Sequence, residues 1–169
     1  MLYRRPAQLA LQAALLLAMK GDDKPRRVSE LADRLGVPAT YLAKILQSLS
    51  HVGLLRTVRG PGGGVRLARP AAEIHLLDIL LAVEPKVDFE RCFLGLDSCD
   101  DRNPCPLHDT WVPIRARILA MLQTTNLGGL AAKAKRREVL RSQTGVSSAG
   151  SGGRAAVRTV GVKRNRSRF

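Results

Sequence analysis

The hydrophobic and polar positions predict two helices at the start of the chain. Leucine and alanine dominate residues 9–19, with glutamines four residues apart on one face, which indicates an amphipathic first helix. A second helix is predicted over residues 29–35, where Ser29 is a suitable N-cap and Gly36 a suitable left-handed end. The two helices are separated by a chain break at Lys24-Pro25.

A third predicted helix follows Val37-Pro38 and has two different faces. Its apolar positions repeat at steps of three and four residues and are expected to face the core: Leu42, Ile45, Leu46, Leu49 and Val52. Its other face is polar, with one cation and no acid: Ala39, Thr40, Tyr41, Lys44, Gln47 and Ser48. Two helices joined by a turn with a glycine match the helix-turn-helix pattern, although any packed helix pair has the same signature.

Two short strands follow, over residues 54–59 and 65–69, joined by the glycine-rich loop 60–64. The glycines supply the positive φ angles and close backbone approach that a hairpin needs. The hairpin carries four cations: Arg56, Arg59, Arg66 and Arg69. A helix-turn-helix followed by a basic hairpin predicts a winged helix, with the third helix in the major groove and the wing along the minor groove of DNA. A nucleotide-binding loop is disfavoured, because the Gly-Lys-Ser/Thr ending is missing and the loop joins two strands.

The charge favours a polyanionic partner, nucleic acid before an acidic membrane. The 169 residues are 45% hydrophobic and carry 28 Lys and Arg against 14 Asp and Glu, a net charge of +14. From Lys133 onward 11 basic residues stand against one acid, so most of the excess lies in a tail. Residues 142–169 are rich in Gly, Ser and Arg and are expected to be disordered, either as a solubilising extension or as a non-specific DNA contact.

The apolar run Leu9 to Met19 resembles a secretory signal, because it follows Arg4-Arg5. No Ala-x-Ala cleavage site follows the run, and its length is too short to span a bilayer. We therefore expect a cytoplasmic protein without a membrane partner.

All three cysteines fall within fourteen residues, in the pattern Cys-x6-Cys-x5-Cys, with His108 three residues after the last. The odd count argues against a simple disulfide scaffold. Thiolates and imidazole are ligands of iron–sulfur clusters and of zinc. The absence of a Cys-x2-Cys pair favours a cluster over zinc, and metal-free thiol sensing is a further alternative.

An apolar stripe follows the cysteines at steps of three and four residues: Trp111, Ile114, Ile118, Met121 and Leu122. The stripe is either part of the protein's own core or the face of a helix that forms a homodimer. We favour the dimer, because helix-turn-helix proteins commonly read two-fold related half-sites.

Over residues 1–132 the chain resembles the winged-helix iron–sulfur transcription regulators of the IscR/NsrR type (the Rrf-two family). The most specific matches are the wing segment 58–64 and the cysteine run that ends in Cys-Pro-Leu-His. The resemblance implies a homodimeric repressor that binds double-stranded DNA at inverted-repeat promoter sites and holds a [2Fe–2S] or [4Fe–4S] cluster. The implied cluster ligands are Cys92, Cys99, Cys105 and His108. The candidate DNA-binding residues are Ala39, Thr40, Tyr41, Lys44, Arg56, Arg59, Gly62, Gly63 and Arg66.

The chain departs from this family in three places. Gln8 stands where the nitric-oxide-sensing branch has an aspartate ligand, which favours either His108 as the fourth ligand or a labile open site. Val65 replaces a frequent wing aromatic, and the arginine-rich tail lies outside the family pattern.

The predicted fold is mainly α with a small β-hairpin wing, plus a long C-terminal dimerisation helix. We expect a DNA-binding unit over residues 1–70, a cysteine loop (92–108) with the dimerisation helix over 71–137, and a basic tail over 138–169. The alternatives are a cluster-free winged-helix regulator that senses through zinc or thiol oxidation, and a basic RNA-associated protein that uses the tail. An enzyme is disfavoured, because the three histidines are dispersed and no catalytic arrangement accompanies them.

Overall fold

The computed structural model describes residues 3–84, 91–96 and 99–143. Within these ranges it contains six α-helices, one antiparallel hairpin and a single 3-10 turn at Ala71–Glu73. The elements in chain order are α1 (Arg5–Lys20), α2 (Val28–Leu35), α3 (Ala39–His51), β1 (Leu55–Val58), β2 (Gly64–Leu67), α4 (Leu76–Val83), α5 (His108–Thr124) and α6 (Leu127–Gln143). The mainly helical architecture with a small hairpin confirms the predicted fold class.

Helix α1 lies at the centre of the fold, because small residues line one side of it. Ala10, Ala13 and Ala14 are at most 1% exposed, and Leu9 and Leu17 are buried beside them. Small side chains let neighbouring backbones approach closely, while the leucines supply most of the buried apolar area. Helix α1 thereby contacts α2, α3, α4 and α6.

Helices α2 and α3 form the predicted helix-turn-helix. Gly36 ends α2 in the left-handed conformation, with φ at +64°. The prediction of Ser29 as the N-cap is wrong, because Arg27 occupies that position and Ser29 lies inside the helix. The cause is a long-range contact: Arg26 is held in an extended bridge to Val65, so the chain enters the helix earlier than its local sequence indicates.

The core face of α3 is buried at four of the five predicted positions: Leu42, Ile45, Leu46 and Leu49. The prediction for Val52 is wrong, since this residue is 51% exposed. Helix α3 ends at His51, and Gly53, with φ at +72°, turns the chain directly after Val52. Val52 therefore lies outside the helix and does not share its buried face.

The hairpin is attached to the rest of the fold by a third extended segment. Strands β1 and β2 are antiparallel, and the outer edge of β2 pairs with Arg26. The backbone N–H of Arg26 donates to the Val65 oxygen and the N–H of Val65 donates to the Arg26 oxygen, both at 2.9 Å. The wing therefore moves with the segment that leads into α2.

Helix α6 is an element that the sequence pattern did not separate from the basic tail. It packs against α1 and the 3-10 turn, and Leu127 and Ala131 are buried in the main core. The N–H of Leu127 donates to the Ile74 oxygen at 2.9 Å. Gly128 permits a close approach, because a Cβ there would lie 3.1 Å from the backbone nitrogen of Ala72.

The end of α6 shifts the predicted start of the tail. The helix continues to Gln143, so the first residues of the predicted 138–169 segment are helical. Residues 144–169, for which disorder was expected, lie outside the described residues. None of the described helices is both long and apolar enough to cross a bilayer.

Candidate DNA interface and cysteine site

The outer face of α3 presents the polar residues that the sequence predicts for contact with DNA. Ala39, Thr40, Tyr41 and Lys44 are all exposed, and Tyr41 keeps 40% of its surface accessible. The apolar side chains of the same helix are buried, so α3 is held by one side only. An exposed helical face with a cation and no acid is suited to the major groove of DNA.

The hairpin places two arginines directly opposite each other. In the antiparallel register Arg56 pairs with Arg66, while Leu55 pairs with Leu67 on the other face. Like charges at opposed positions destabilise a hairpin unless a counter-charge lies against them. Arg59, just after β1, is also exposed. The outer face of the wing is therefore electrostatically suited to a polyanion.

The glycines of the wing are required for two reasons. A Cβ on Gly63 would overlap the carbonyl oxygen of Val58, and a Cβ on Gly64 would overlap that of Arg26. Gly62 has open space around it, with φ at +77°. The loop is therefore narrow, and apart from Pro61 its exposed tip has no side chain to prevent close approach of another molecule.

The three cysteines predicted as ligands come together. Their Sγ atoms all lie within 4.8 Å of one another, and the thiols of Cys92 and Cys105 are 3.6 Å apart. All three thiols are free and partly buried. Local turns bring them together: the N–H of Gly95 donates to the Cys92 oxygen at 3.0 Å, and Gly95 has φ at +74°.

His108, the first residue of α5, completes this group. Its Nδ1 atom lies 3.3 Å from the Sγ of Cys99, and its Nε2 atom lies 3.0 Å from an oxygen of Asp101. The His108 side chain is only 12% exposed, whereas Asp101 is 97% exposed. Because a carboxylate only accepts hydrogen bonds, Asp101 favours the tautomer with the proton on Nε2 and leaves the Nδ1 lone pair directed at the thiols.

The cysteine thiols differ in acidity. Hydrogen bonds with the backbone at Leu96, and then at Leu94, lower the pKa of Cys92 to about 7. At Cys99 a backbone hydrogen bond from Cys105 lowers the pKa, but burial and the two neighbouring thiols outweigh this effect and raise the pKa to about 11. Cys92 thus loses its proton near neutral pH, while its neighbouring thiols oppose the deprotonation of Cys99. A bound metal cation would favour the thiolate form of every ligating cysteine, because thiols bind metals in their deprotonated form.

Aromatic contacts attach the cysteine loop to α5. The Nε1 of Trp111 donates to the Arg91 oxygen at 3.1 Å, and its ring centroid lies 5.2 Å from that of Phe93 at an interplanar angle of 59°. Phe93 itself is 62% exposed. The start of the loop and the first turns of α5 therefore form one structural unit.

Helix α4 connects this unit to the DNA-reading part. Ile79 and Leu80 are consecutive and fully buried, but they belong to two different clusters. Ile79 packs in the main core with the α3 leucines, whereas Leu80 packs with Ala7 and with Leu122 of α5. Helix α4 therefore contacts α5 through one residue and the core of α3 through the next.

Comparison with known proteins decides the class of this molecule. A family model described as an iron-dependent transcriptional regulator (Rrf2) matches residues 3–133. The chain belongs to this family. An HTH-type transcriptional regulator IscR from Xenorhabdus nematophila is 33% identical over 131 residues, which cover 78% of this chain and 77% of the relative.

Solved structures show the same fold. The global cysteine regulator CymR of B. subtilis superposes with a TM-score of 0.66 at 22% identity, over 77% of this chain and 95% of that one. T. potens IscR superposes with a TM-score of 0.57 at 21% identity, over 87% of this chain and 92% of that one. The matching family model and the Xenorhabdus nematophila relative are both named as transcriptional regulators, which confirms the prediction of a DNA-binding transcription regulator rather than an enzyme.

The individual site residues stay predictions, although the structure brings the predicted metal ligands together. His51 ends α3 and His75 is the N-cap of α4, so both histidines lie at helix ends. Asp101, the partner of His108, was not predicted from the sequence. Its position in the acidic pair Asp100-Asp101, between two candidate ligands, is the only sequence signal for this contact.

Proposed function

We propose that the chain is a homodimeric transcription repressor whose affinity for DNA is controlled by an iron–sulfur cluster held at Cys92, Cys99, Cys105 and His108. The observation that carries this proposal is the convergence of three thiols beside the Nδ1 atom of His108. At a metal–sulfur distance of about 2.3 Å, two ligands of one tetrahedral metal lie about 3.8 Å apart. The separation of 3.6 Å between the thiols of Cys92 and Cys105 is close to this value.

The donor set fits a cluster in its chemistry, while the spacing of Cys92 and Cys105 fits two ligands of one metal, as in [2Fe–2S] or in a zinc site. Three thiolates and one imidazole are soft to borderline ligands, and irregular backbone around them can enclose a centre larger than one ion. When bound, the cluster would supply a redox-labile centre whose charge and integrity depend on the surroundings. The ligand set is compatible with either [2Fe–2S] or [4Fe–4S], and the hydrogen bond from His108 to Asp101 keeps the fourth ligand oriented.

The chain's own residues connect the cysteine loop to the DNA interface. Ordering of the loop would fix the start of α5 through Trp111 and His108, which lie in its first two turns. Helix α5 contacts α4 through Leu122 and Leu80, and α4 contacts α3. The state of the loop can then change the position of the reading helices, provided that the cluster binds the two arrangements with different affinity.

We propose that α5 forms the homodimer, through the stripe Trp111, Ile114, Ile118, Met121 and Leu122. Ile114 and Met121 are seven residues apart on one face and are 45% and 51% exposed. Large apolar side chains exposed on one helix are typical of a subunit interface. Leu122 is buried within its own protomer at 3% exposure, so the other members of the stripe would carry the contact with the partner.

Two copies related by a two-fold axis would read an inverted repeat on double-stranded DNA. In each copy α3 would enter the major groove with Thr40, Tyr41 and Lys44, and the wing would follow the backbone with Arg56, Arg59 and Arg66. The remaining candidates, Ala39, Gly62 and Gly63, would permit close approach because they have little or no side chain. Such a regulator acts where the chromosome lies, so we place it in the cytoplasm.

The experiment that tests this function is a DNA-binding comparison between two states of one protein. Duplexes are first selected from a random library with the anaerobically purified protein, and affinity is then measured by fluorescence anisotropy before and after removal of iron. We expect the selected sequences to show two-fold symmetry and the affinity to change at least several-fold on iron removal. The Cys99→Ala variant should bind DNA without this response.

Two results would contradict the proposal in different ways. Equal affinity before and after iron removal would exclude control by a cluster. It would favour the second candidate, a regulator that uses the same thiols for zinc or for oxidation, since Cys92 and Cys105 lie 3.6 Å apart. Binding without any sequence preference would instead favour the basic RNA-associated alternative.

A further inference from the structure

We propose that a cavity at the base of the wing binds a phosphate group. The cavity has a volume of about 370 Å³ and lies between the last turn of α1, the segment 21–26 and the end of β2. This volume lies within the range of small-ligand sites, which is about 300–1,000 Å³. The cysteine loop and the exposed face of α3 do not line it, whereas Arg66 belongs both to the cavity and to the wing.

Positive charge from several parts of the chain converges on the cavity. Five basic residues line the cavity, against two acidic ones, Asp22 and Asp23. A sixth cation comes from α6, since a Cβ on Gly21 would lie 3.1 Å from the Nζ of Lys135. Cations from separate parts of the chain repel one another unless an anion lies between them. The five basic lining residues are Lys20, Lys24, Arg26, Arg66 and Arg69.

The guanidinium group of Arg26 has a buried donor that is not used. The Nη2 of Arg26 donates to both carboxylate oxygens of Asp22, at 2.8 and 2.7 Å. Its Nε is buried and has no hydrogen-bond partner, and it is the only such side-chain atom in the described part of the chain. Leaving a buried donor unpaired is costly, and a guanidinium matches phosphate oxygens in geometry and charge. A phosphate anion in the cavity would offset the positive charge of this guanidinium group.

The position of the cavity links it to the wing. Arg26 pairs with Val65 through two backbone hydrogen bonds of 2.9 Å, and Arg66 follows directly in β2. A ligand that holds Arg26 and Arg66 together would fix the wing relative to the start of α2. The phosphate could belong to a free phosphorylated small molecule or to the DNA backbone, and both sources present the same group to the cavity.

The test follows the Nε–H resonance of Arg26 by heteronuclear NMR in the full chain. The resonance is assigned by its loss in Arg26→Lys and is titrated with inorganic phosphate, with chloride at equal ionic strength as the control. We expect a saturable shift with phosphate and none with chloride. Because the signal reports one nitrogen, phosphate bound elsewhere on the basic chain does not contribute to it.

A double variant, Lys24→Gln with Arg69→Gln, measures the contribution of the lining cations. It should weaken phosphate binding about tenfold or more, whereas Lys133→Gln, an exposed position of α6 outside the lining, should leave the affinity unchanged. The same resonance is then followed during titration with duplex DNA. This second titration rests on the proposed function, because it requires the protein to bind DNA.

The arms distinguish the two sources of phosphate. A shift with inorganic phosphate but not with DNA assigns the site to a free phosphorylated ligand. A shift with DNA, together with a reduced salt dependence of DNA binding in the double variant, assigns it to the DNA backbone. If neither titration moves the Arg26 resonance, the proposal is wrong, whatever happens to sequence-specific binding. If the protein does not bind DNA but inorganic phosphate shifts the Arg26 resonance, the phosphate site is supported and the proposed function is wrong.

Discussion

Replacement of Leu80 by alanine tests whether α4 joins α5, the proposed dimerisation helix, to the DNA-reading part. Leu80 is fully buried in a small cluster with Ala7 and Leu122, and Leu77 and Ile118 pack at its edge. A buried leucine-to-alanine change costs about 2–5 kcal/mol of unfolding free energy, depending on how far the site relaxes. Because this cluster is small and its edge is partly exposed, we expect a cost of about 2–3 kcal/mol.

The matched control is the next residue of the same helix. Leu81 is 40% exposed, so its replacement by alanine removes less buried surface. We expect it to cost under about 1 kcal/mol. The assay is urea denaturation followed by circular dichroism, with all variants at one protein concentration, because dimerisation makes apparent stability concentration-dependent.

The same pair of variants tests the connection between sites. With Leu80→Ala, iron removal should change DNA affinity less than in the unmodified protein, while Leu81→Ala should keep the full response. Two results would contradict this interpretation. One is an equal loss of stability in the two variants. The other is a full response of DNA affinity to iron removal in Leu80→Ala, although the variant is destabilised by about 2 kcal/mol or more.

Three further predictions concern the thiols, the wing and the fourth ligand. In the metal-free protein, the rate at which iodoacetamide modifies Cys92 should rise with a midpoint near pH 7, and the rate for Cys99 only near pH 11. The reason is that the thiolate is the reacting form and the pKa values are about 7 and about 11. Peptide mass spectrometry measures both rates. Arg56→Gln should reduce the salt slope of DNA binding by about one without lowering stability in urea, since it removes the repulsion from the opposed arginine. Asp101→Ala should shift the His108 ring of the metal-free protein toward a mixture of tautomers, as seen in the ¹⁵N chemical shifts, whereas Asp109→Asn should not.

Each of these predictions has a clear contrary result. Equal modification of both thiols at pH 7 would contradict the difference in acidity. An unchanged salt slope in Arg56→Gln would remove this residue from the DNA interface. An unchanged tautomer in Asp101→Ala would mean that the carboxylate, although 3.0 Å from the ring nitrogen, does not orient it.

The sequence was a good guide where one helix or hairpin determines its own structure. The spacing of Leu42, Ile45, Leu46 and Leu49 predicted the buried face of α3, and Gly36 predicted the end of α2. Failures came from contacts between distant segments. Ser29 is not the N-cap because Arg26 pairs with Val65 across the fold, and no local pattern contains that bridge.

Helix α6 shows a second limit of sequence reasoning. Its composition of lysine, arginine and alanine, with Gly128-Gly129 in the first turn, is typical of a solvated tail. It is nevertheless held to α1, because Leu127 and Ala131 are buried and Gly128 lies close to the backbone of Ala72. The cysteine spacing predicted that the three thiols come together, but it did not predict the hydrogen bond from His108 to Asp101.

The central claim is that the three thiols and His108 hold an iron–sulfur cluster. Anaerobic purification followed by a visible absorption spectrum and by iron and acid-labile sulfide assays tests it most directly. We predict brown protein with iron and sulfide, lost in Cys99→Ala and altered in His108→Ala, but unchanged in His51→Ala, a histidine at the exposed end of α3. Colourless protein without iron or sulfide, even after reconstitution, would contradict the claim.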